Sequence, residues 1–411
     1  MNLLVWAVVL LPLGLAFASG LWGAHQRVRP LMFGLLGAFT LALVALWASG
    51  EEPVARLGDL LAGEPVNLRW TGPAAPLVVA IYAALLVYIG RTLRPMEESP
   101  PASLAIVLAL SSMAIAALLV DDLLARVIAL DLVSVTVVAL LTVHSPASAR
   151  APALWHYVPL RVADLCFLYV ALQLWRGTDT PTISVALAGA ADHPRGQLLA
   201  VTAAALGAAW IKLGLPPFSG WLMAASRMRS PARLTAGAFG PPLLGAYLLS
   251  RLAPAFAAAG PAVGIALALA SGFLLLWGIR NVRRGADRAG TLLALHGALG
   301  LWSGLTPASG LYILSFVPVR VVILLLYPGT DAAPAAATNQ AARLVDRLGH
   351  LALTAEAELE AGIGRLTRAP EALGTHLQRA HRGRLRENLL WALLALFAIL
   401  LTLLVGAGGA P

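Results

Sequence analysis

The chain is written as a series of apolar runs about 17–25 residues long, joined by short polar or proline-bearing stretches. At 1.5 Å per residue such a run forms a helix that crosses a hydrocarbon core about 30 Å thick. The strands of an outer-membrane barrel would instead alternate over about ten residues, and no such alternation is present. Charged residues make up 12% of the chain, against about 25% in soluble proteins. The reading is an all-α polytopic membrane protein with about twelve transmembrane helices, two of them broken. The spans fall near 3–22, 31–49, 74–90, 102–120, 123–143, 155–175, 197–213 with a continuation at 219–226, 232–256, 260–279, 289–304, 308–327 and 388–406. The first run lacks a basic start and a clear small-residue cleavage site, so it is read as a retained span.

The arginines set the orientation. If the first loop is cytoplasmic, the loops on its side hold Arg27, Arg29, Arg91, Arg94, Arg150, Arg227, Arg229, Arg233, Arg280, Arg283, Arg284 and Arg288. The opposite loops hold Arg56, Arg69, Arg176, Arg195 and Arg251. Twelve against five puts the N-terminus outside a bacterial cytoplasmic (inner) membrane. The net charge of +9 is thereby a matter of topology, and the lipid bilayer, not nucleic acid, is the partner it implies. The single Cys166 excludes an internal disulfide and a cysteine-held iron–sulfur cluster. Metal-ligand spacings and Gly-rich phosphate loops are absent from the sequence. The expectation is no catalytic residue, no metal and no cofactor in this chain.

Lys212 is the one lysine among 29 basic residues. It sits at the end of an apolar run and is followed at once by a helix break, Leu213-Gly214-Leu215-Pro216-Pro217-Phe218-Ser219-Gly220. Arginine keeps its proton in a protein, whereas a desolvated lysine can give its proton up near neutral pH. A site that must gain and lose a proton therefore favours this residue. A lysine that reaches to an interface, or pairs statically with a buried acid, is the plainer alternative. The next run carries Gly237, Gly240, Pro241 and Pro242, and a helix with Gly-Pro-Pro inside it must bend or unwind. Two neighbouring breaks are tolerated where freed carbonyls face protein or a water-filled cavity, as on ion and substrate routes.

Few other charges lie inside spans. Asp131 is central in span five, and Arg161 and Asp164 stand one turn apart in span six, able to share a face and pair. His296 lies in span ten and Arg320 in span eleven. An unpaired carboxylate in hydrocarbon costs several kcal/mol, so Asp131 needs a partner, and Lys212 is the expected one. Such a pair releases a proton when it is pulled apart, because the lysine loses its counter-ion. The Arg161/Asp164 pair also reads as a static bridge that fixes helix rotation, and His296 as a satisfied core histidine. Arg320 cannot deprotonate and can supply only fixed charge.

From Ala335 to Arg386 the pattern changes. Leu344, Leu348, Leu351, Ala355, Leu359, Ile363 and Leu366 recur at helical spacing, with Arg343, Asp346, Arg347, Glu356, Glu358, Glu360 and Arg365 on other faces. This reads as an amphipathic C-terminal surface helix, interrupted near Pro370 and followed by a last span. The organisation is then spans one to three (1–100), spans four to eight (101–257), spans nine to eleven (258–330), a lateral helix (331–386) and an anchor (387–411).

At these residues the chain resembles the antiporter-like membrane subunits of respiratory complex I and its relatives. Those relatives include membrane-bound hydrogenases, Mrp-type cation/proton antiporters and the membrane partner of energised inorganic-carbon uptake complexes. The likeness rests on Lys212 in its broken helix, Trp221-Leu222, Ser230-Pro231 and the run from Gly245 to Arg251. It also rests on Arg161 with Asp164, on Arg280 to Arg284, and on Arg382-Gly383-Arg384 before the last span. The long surface helix looks most like the distal L-type subunit of NADH-quinone oxidoreductase. The sequence departs from the family pattern in three places. The family glutamate is Asp131, the span-eight histidine falls at Gly237, and the span-eleven lysine falls at Arg320. The resemblance also implies that spans four to eight (101–257) form a first repeat and spans nine to eleven (258–330) a truncated second one, which stops after three helices.

The resemblance implies a proton-translocating subunit of a complex I-like, redox-driven assembly. Asp131 and Lys212 would form the gating pair, supported by Arg161, Asp164, His296 and Arg320, with Pro216, Pro217, Gly237, Gly240, Pro241 and Pro242 along the path. Electron transfer would belong to other membrane and peripheral subunits, contacted through residues 335–386. Two alternatives stand beside it: a membrane subunit of a proton-coupled inorganic-carbon or other ion uptake complex, and a non-conducting scaffold.

Overall fold

The computed structural model describes residues 2–21, 28–59, 65–93, 102–145, 153–189, 193–228, 232–283, 288–303 and 309–327. The expected surface helix over 335–386 and the last span at 388–406 lie outside these residues, as do Ser230, Pro231 and Arg284. Among the described residues the chain is a helical bundle with one small hairpin. Six long helices come first: α1 (Asn2–Leu21), α2 (Val28–Ala48), α3 (Ala75–Thr92), α4 (Ala102–Leu119), α5 (Leu123–His144) and α6 (Tyr157–Thr178). A short α7 (Ile183–Ala188) leads to α8 (Arg195–Lys212) and α9 (Gly220–Arg227). Then α10 (Ala232–Leu234) runs into a π-helical turn (Thr235–Phe239), followed by α11 (Pro241–Ala259), α12 (Pro261–Arg283), α13 (Arg288–Ser303) and α14 (Ser309–Leu326).

Seven of the described helices, α1 to α6 and α12, are long and apolar enough to cross a membrane. They coincide with seven of the expected spans to within a few residues. The protein is an all-α, multi-pass membrane protein. Polar residues inside these helices turn back on their own backbone, as apolar surroundings require: Thr40 donates to Leu36 O, Ser111 to Val107 O, and Thr142 to Val138 O. The core runs through the packed series α1, α4, α5, α6, α8 and α11, with α14 against α11, the π turn and α3.

Both expected interruptions are present. After Lys212 the backbone turns through Gly214 at φ 68° and resumes as α9. A side chain at Gly214 would be strained by that φ and would meet Leu222 Cβ at 2.6 Å, so the turn requires glycine. Two indoles staple the break: Trp210 Nε1 donates to Pro216 O (2.7 Å) and Trp221 Nε1 to Ile211 O (3.1 Å). The second break is the π turn with Gly240 after it. Pro241 and Pro242 open α11, where missing N–H groups cost nothing.

Helix C-termini are closed by arginines from elsewhere in the chain. Arg29 Nη1 donates to Thr92 O at the end of α3, and Arg126 Nη2 to Leu118 O and Val120 O beyond α4. Arg233 takes Leu324 O and Tyr327 O at the end of α14. Each places a cation at the negative end of a helix and satisfies carbonyls the helix leaves free.

One feature departs from the expected all-α chain. Val54–Asp59 (β1) and Pro65–Arg69 (β2) pair antiparallel in the loop between α2 and α3. The hairpin covers the α4–α5 turn: Asp121 N donates to Asn67 O (2.8 Å), and Leu68 bridges Val120. Asp121 and Asp122 are both buried beneath it. Asp122 caps α5 by accepting from Ala125 N (2.7 Å), and Asp121 Oδ2 lies 3.5 Å from Arg69 Nε.

Candidate functional site

The ammonium of Lys212 sits where α5, α6 and α8 meet, with no exposed surface. Its Nζ lies 2.6 Å from Asp164 Oδ1 on α6 and donates to Ser134 Oγ on α5 at 3.2 Å. Asp164 is 1% exposed. Among the described residues no hydrogen-bond donor satisfies either of its oxygens, so the ammonium's charge is its compensation. Lys212 is also the last residue of α8, where the free carbonyls of a helix end favour a cation. Among the described residues the charge thus has an acid, a hydroxyl and a helix terminus to hold it.

The acid differs from the one expected. Asp131 is not the partner of Lys212, and Arg161 is not the partner of Asp164. Each charge pairs across helices instead: Asp164 with Lys212, and Arg161 Nη1 with Asp131 Oδ1. Tyr157 Oη adds a hydrogen bond to the same Asp131 oxygen (3.3 Å). The physical reason is rotation about α6. Three residues fall about 60° short of a full turn, so with Asp164 facing α8, Arg161 is offset toward the exposed side, where it meets Asp131. Arg161 is 44% and Asp131 29% exposed by side chain, whereas the Lys212–Asp164 pair is sealed. The four charges remain neighbours: Asp131 precedes Ser134 by three residues, and Arg161 precedes Asp164 by three.

Ser134 and Tyr157 are members of the site that sequence reasoning missed. Both lie one turn from a charge, Ser134 after Asp131 and Tyr157 before Arg161. A hydroxyl one turn from an intramembrane charge is a signal, though serine and tyrosine in apolar helices have many other uses.

Of the charged or titratable residues expected at the site, the remaining two, His296 and Arg320, form a second cluster. Arg320 is fully buried and donates through Nη1 to Gly237 O in the π turn (2.8 Å) and through Nη2 to Leu293 O (2.7 Å). Its guanidinium lies 4.6 Å from the centre of the Phe316 ring. His296 packs its ring between Tyr312 and Phe316, each 5.2 Å away centre to centre, and Tyr312 Oη donates to His296 O. This cluster reaches the first break through Gly297. A side chain there would stand 3.4 Å from both Arg320 Nη2 and Leu213 O. Gly297 therefore stands between the turn that follows Lys212 and the arginine bonded to the second break, whose charge cannot be removed.

The sequence matches no family model and no curated protein. Solved structures that share its fold include two large membrane assemblies. One is the Mrp complex from Dietzia sp. DQ12-45-1b, with a TM-score of 0.70 and 16% identity, over 78% of this chain and 37% of that one. The other is the membrane-bound sulfane sulfur reductase, an archaeal respiratory membrane complex, with a TM-score of 0.66 and 14% identity, over 78% of this chain and 55% of that one. The chain spans only part of the length of either. The likeness read from Lys212 and its broken helix is matched at the level of architecture: this chain shares its fold with a chain of an Mrp complex and with one of an archaeal respiratory membrane complex.

Proposed function

We propose that this chain is an ion-translocating membrane subunit of a complex I-like assembly, and that Lys212 is the group that takes up and releases the proton. The observation that carries this reading is the sealed Lys212–Asp164 pair at the mouth of a helix break. An ammonium with one counter-ion loses proton affinity when that ion is drawn away. Arg161 is the group that can draw it, being one turn from Asp164 on the same helix. In the resting arrangement Arg161 is held by Asp131, and Asp164 holds the proton on Lys212. If Arg161 swings to Asp164, the lysine is left without a counter-charge and its proton leaves through the break at Gly214–Pro217. Asp131 thus acts through Arg161 and not by touching Lys212. The partner subunits supply the event that moves Arg161, including any redox step, and residues 335–386 are a contact for them.

A scaffold role is the second reading, and Arg320 favours it. That residue occupies the position where a titratable lysine was expected, and its hydrogen bonds are spent on backbone carbonyls.

Lys212→Arg separates the two. Arginine keeps the charge and the pairing with Asp164 but cannot release a proton. In the assembled complex, reconstituted into vesicles with a pH-sensitive dye, proton movement should fall by about tenfold or more, equivalent to at least ~1.4 kcal/mol on the barrier. Full proton movement in an intact Lys212→Arg complex would assign this chain to the scaffold.

A further inference from the structure

Where α6 ends and α8 begins, a cavity of about 410 Å³ opens, apart from both charged clusters. Gln173, Arg176, His193 and Gln197 supply its polar lining, with Gly177 and Gly189 beside them. The lining is built tightly: a side chain on Gly177 would stand 1.8 Å from His193 Cε1, so the imidazole is laid directly on that glycine. His193 Nε2 is buried and finds no hydrogen-bond partner among the described residues. Gln197 Nε2 donates to Gln173 Oε1 (3.0 Å), which still leaves amide hydrogens on both side chains. Pro194 precedes α8 and no side chain caps that helix, so its first-turn N–H groups add a positive end. Among the described residues no acidic side chain lines the cavity; Asp179, at the end of α6, lies outside the lining.

The cavity also has a depth in the membrane. α6 has 22 residues, about 33 Å at 1.5 Å each, close to the thickness of the hydrocarbon core. Gln173 and Arg176 in its last turns therefore stand at headgroup level. Tyr169 and Leu165 lie four and eight residues before Gln173, and Leu172 four before Arg176, on the same face. They are 39%, 50% and 40% exposed, an apolar track that runs from the cavity toward the bilayer centre.

We propose that this cavity binds the phosphodiester headgroup of an anionic phospholipid, with an acyl chain laid along Leu172, Tyr169 and Leu165. A phosphodiester offers several oxygens to the Arg176 fork, the two amides and His193 Nε2. The track below it is what distinguishes a lipid from a free anion of the same chemistry.

The test uses the full chain, stripped of lipid in detergent and returned to nanodiscs of mixed phosphatidylglycerol and phosphatidylcholine. Native mass spectrometry then counts the lipids that stay bound. Retained phosphatidylglycerol should exceed phosphatidylcholine. Arg176→Gln should reduce that retention by about tenfold, the scale of a lost charge-assisted hydrogen bond. Leu172→Asn should reduce it too, with Cys166 reactivity reporting an unchanged fold in both variants. Glycerol 3-phosphate in excess should leave the lipid in place. Equal retention by wild type and Arg176→Gln, or no preference between the two lipids, overturns the proposal. Displacement by glycerol 3-phosphate overturns the lipid assignment and leaves a free-anion site.

Discussion

Lys212 and Asp164 bury two opposite charges, compensated among the described residues by each other, a hydroxyl and a helix end. Removing one partner leaves an uncompensated charge in a dry place, a change that costs about 3–5 kcal/mol. Asp164→Leu should therefore lower the thermal unfolding midpoint of the purified chain sharply, while Asp164→Leu combined with Lys212→Met should recover most of it. Midpoints that simply add would place the pair in water and not in the core. Lys212 was legible in the sequence because it is the sole lysine and stands before a break. Its partner was not legible. Asp131, Arg161 and Asp164 were all found, but which acid faces which cation depends on the rotation of α5 and α6, and residue spacing alone leaves several faces available. The guanidinium's reach, several carbons long, makes either acid a plausible partner on paper.

At the scale of elements, the two breaks were legible because proline and glycine act locally. Pro216-Pro217 and Gly237 to Pro242 interrupt helices whatever surrounds them. The hairpin was not legible, since its strands, six and five residues long, hide in a polar loop and are fixed by contact with the α4–α5 turn. Gly214→Ala tests how firmly the first break is set. The positive φ and the approach to Leu222 predict a loss of about 1–3 kcal/mol, read as a lower midpoint and faster proteolysis between α8 and α9. Arg320→Met tests the second break. It leaves the carbonyls of Gly237 and Leu293 without their donor, at about 1–3 kcal/mol each. Hydrogen exchange should rise in residues 235–243 and stay unchanged in α4. Arg320→Lys should rescue only part of that protection, because a single ammonium on a shorter reach must serve two carbonyls on different helices.

Across the whole molecule, the exposed flank of α5 and α6 carries a polar cluster, with Asp131 well inside α5 and Tyr157 and Arg161 in the first turns of α6, on helices long enough to span a membrane. Charges facing lipid tails are costly, so the Asp131–Arg161 level of this flank, N-terminal to the apolar track that begins at Leu165 on α6, should be covered by a neighbouring membrane subunit. With Cys166 replaced by serine, Arg161→Cys should react with a polar thiol reagent in the isolated chain and be protected in the assembled complex. Equal reactivity in both would move the neighbour elsewhere. The arginines that close α3, α4, α14 and the π turn bear on why the chain holds 28 arginines and one lysine. A planar fork can grip two backbone oxygens at once, and at Arg126, Arg233 and Arg320 it does so; a compact ammonium offers no such fixed geometry. Recoding those positions to lysine would keep every charge and still unbolt helix ends from one another, so the bundle owes its shape less to how much positive charge it carries than to the flatness of the groups that carry it.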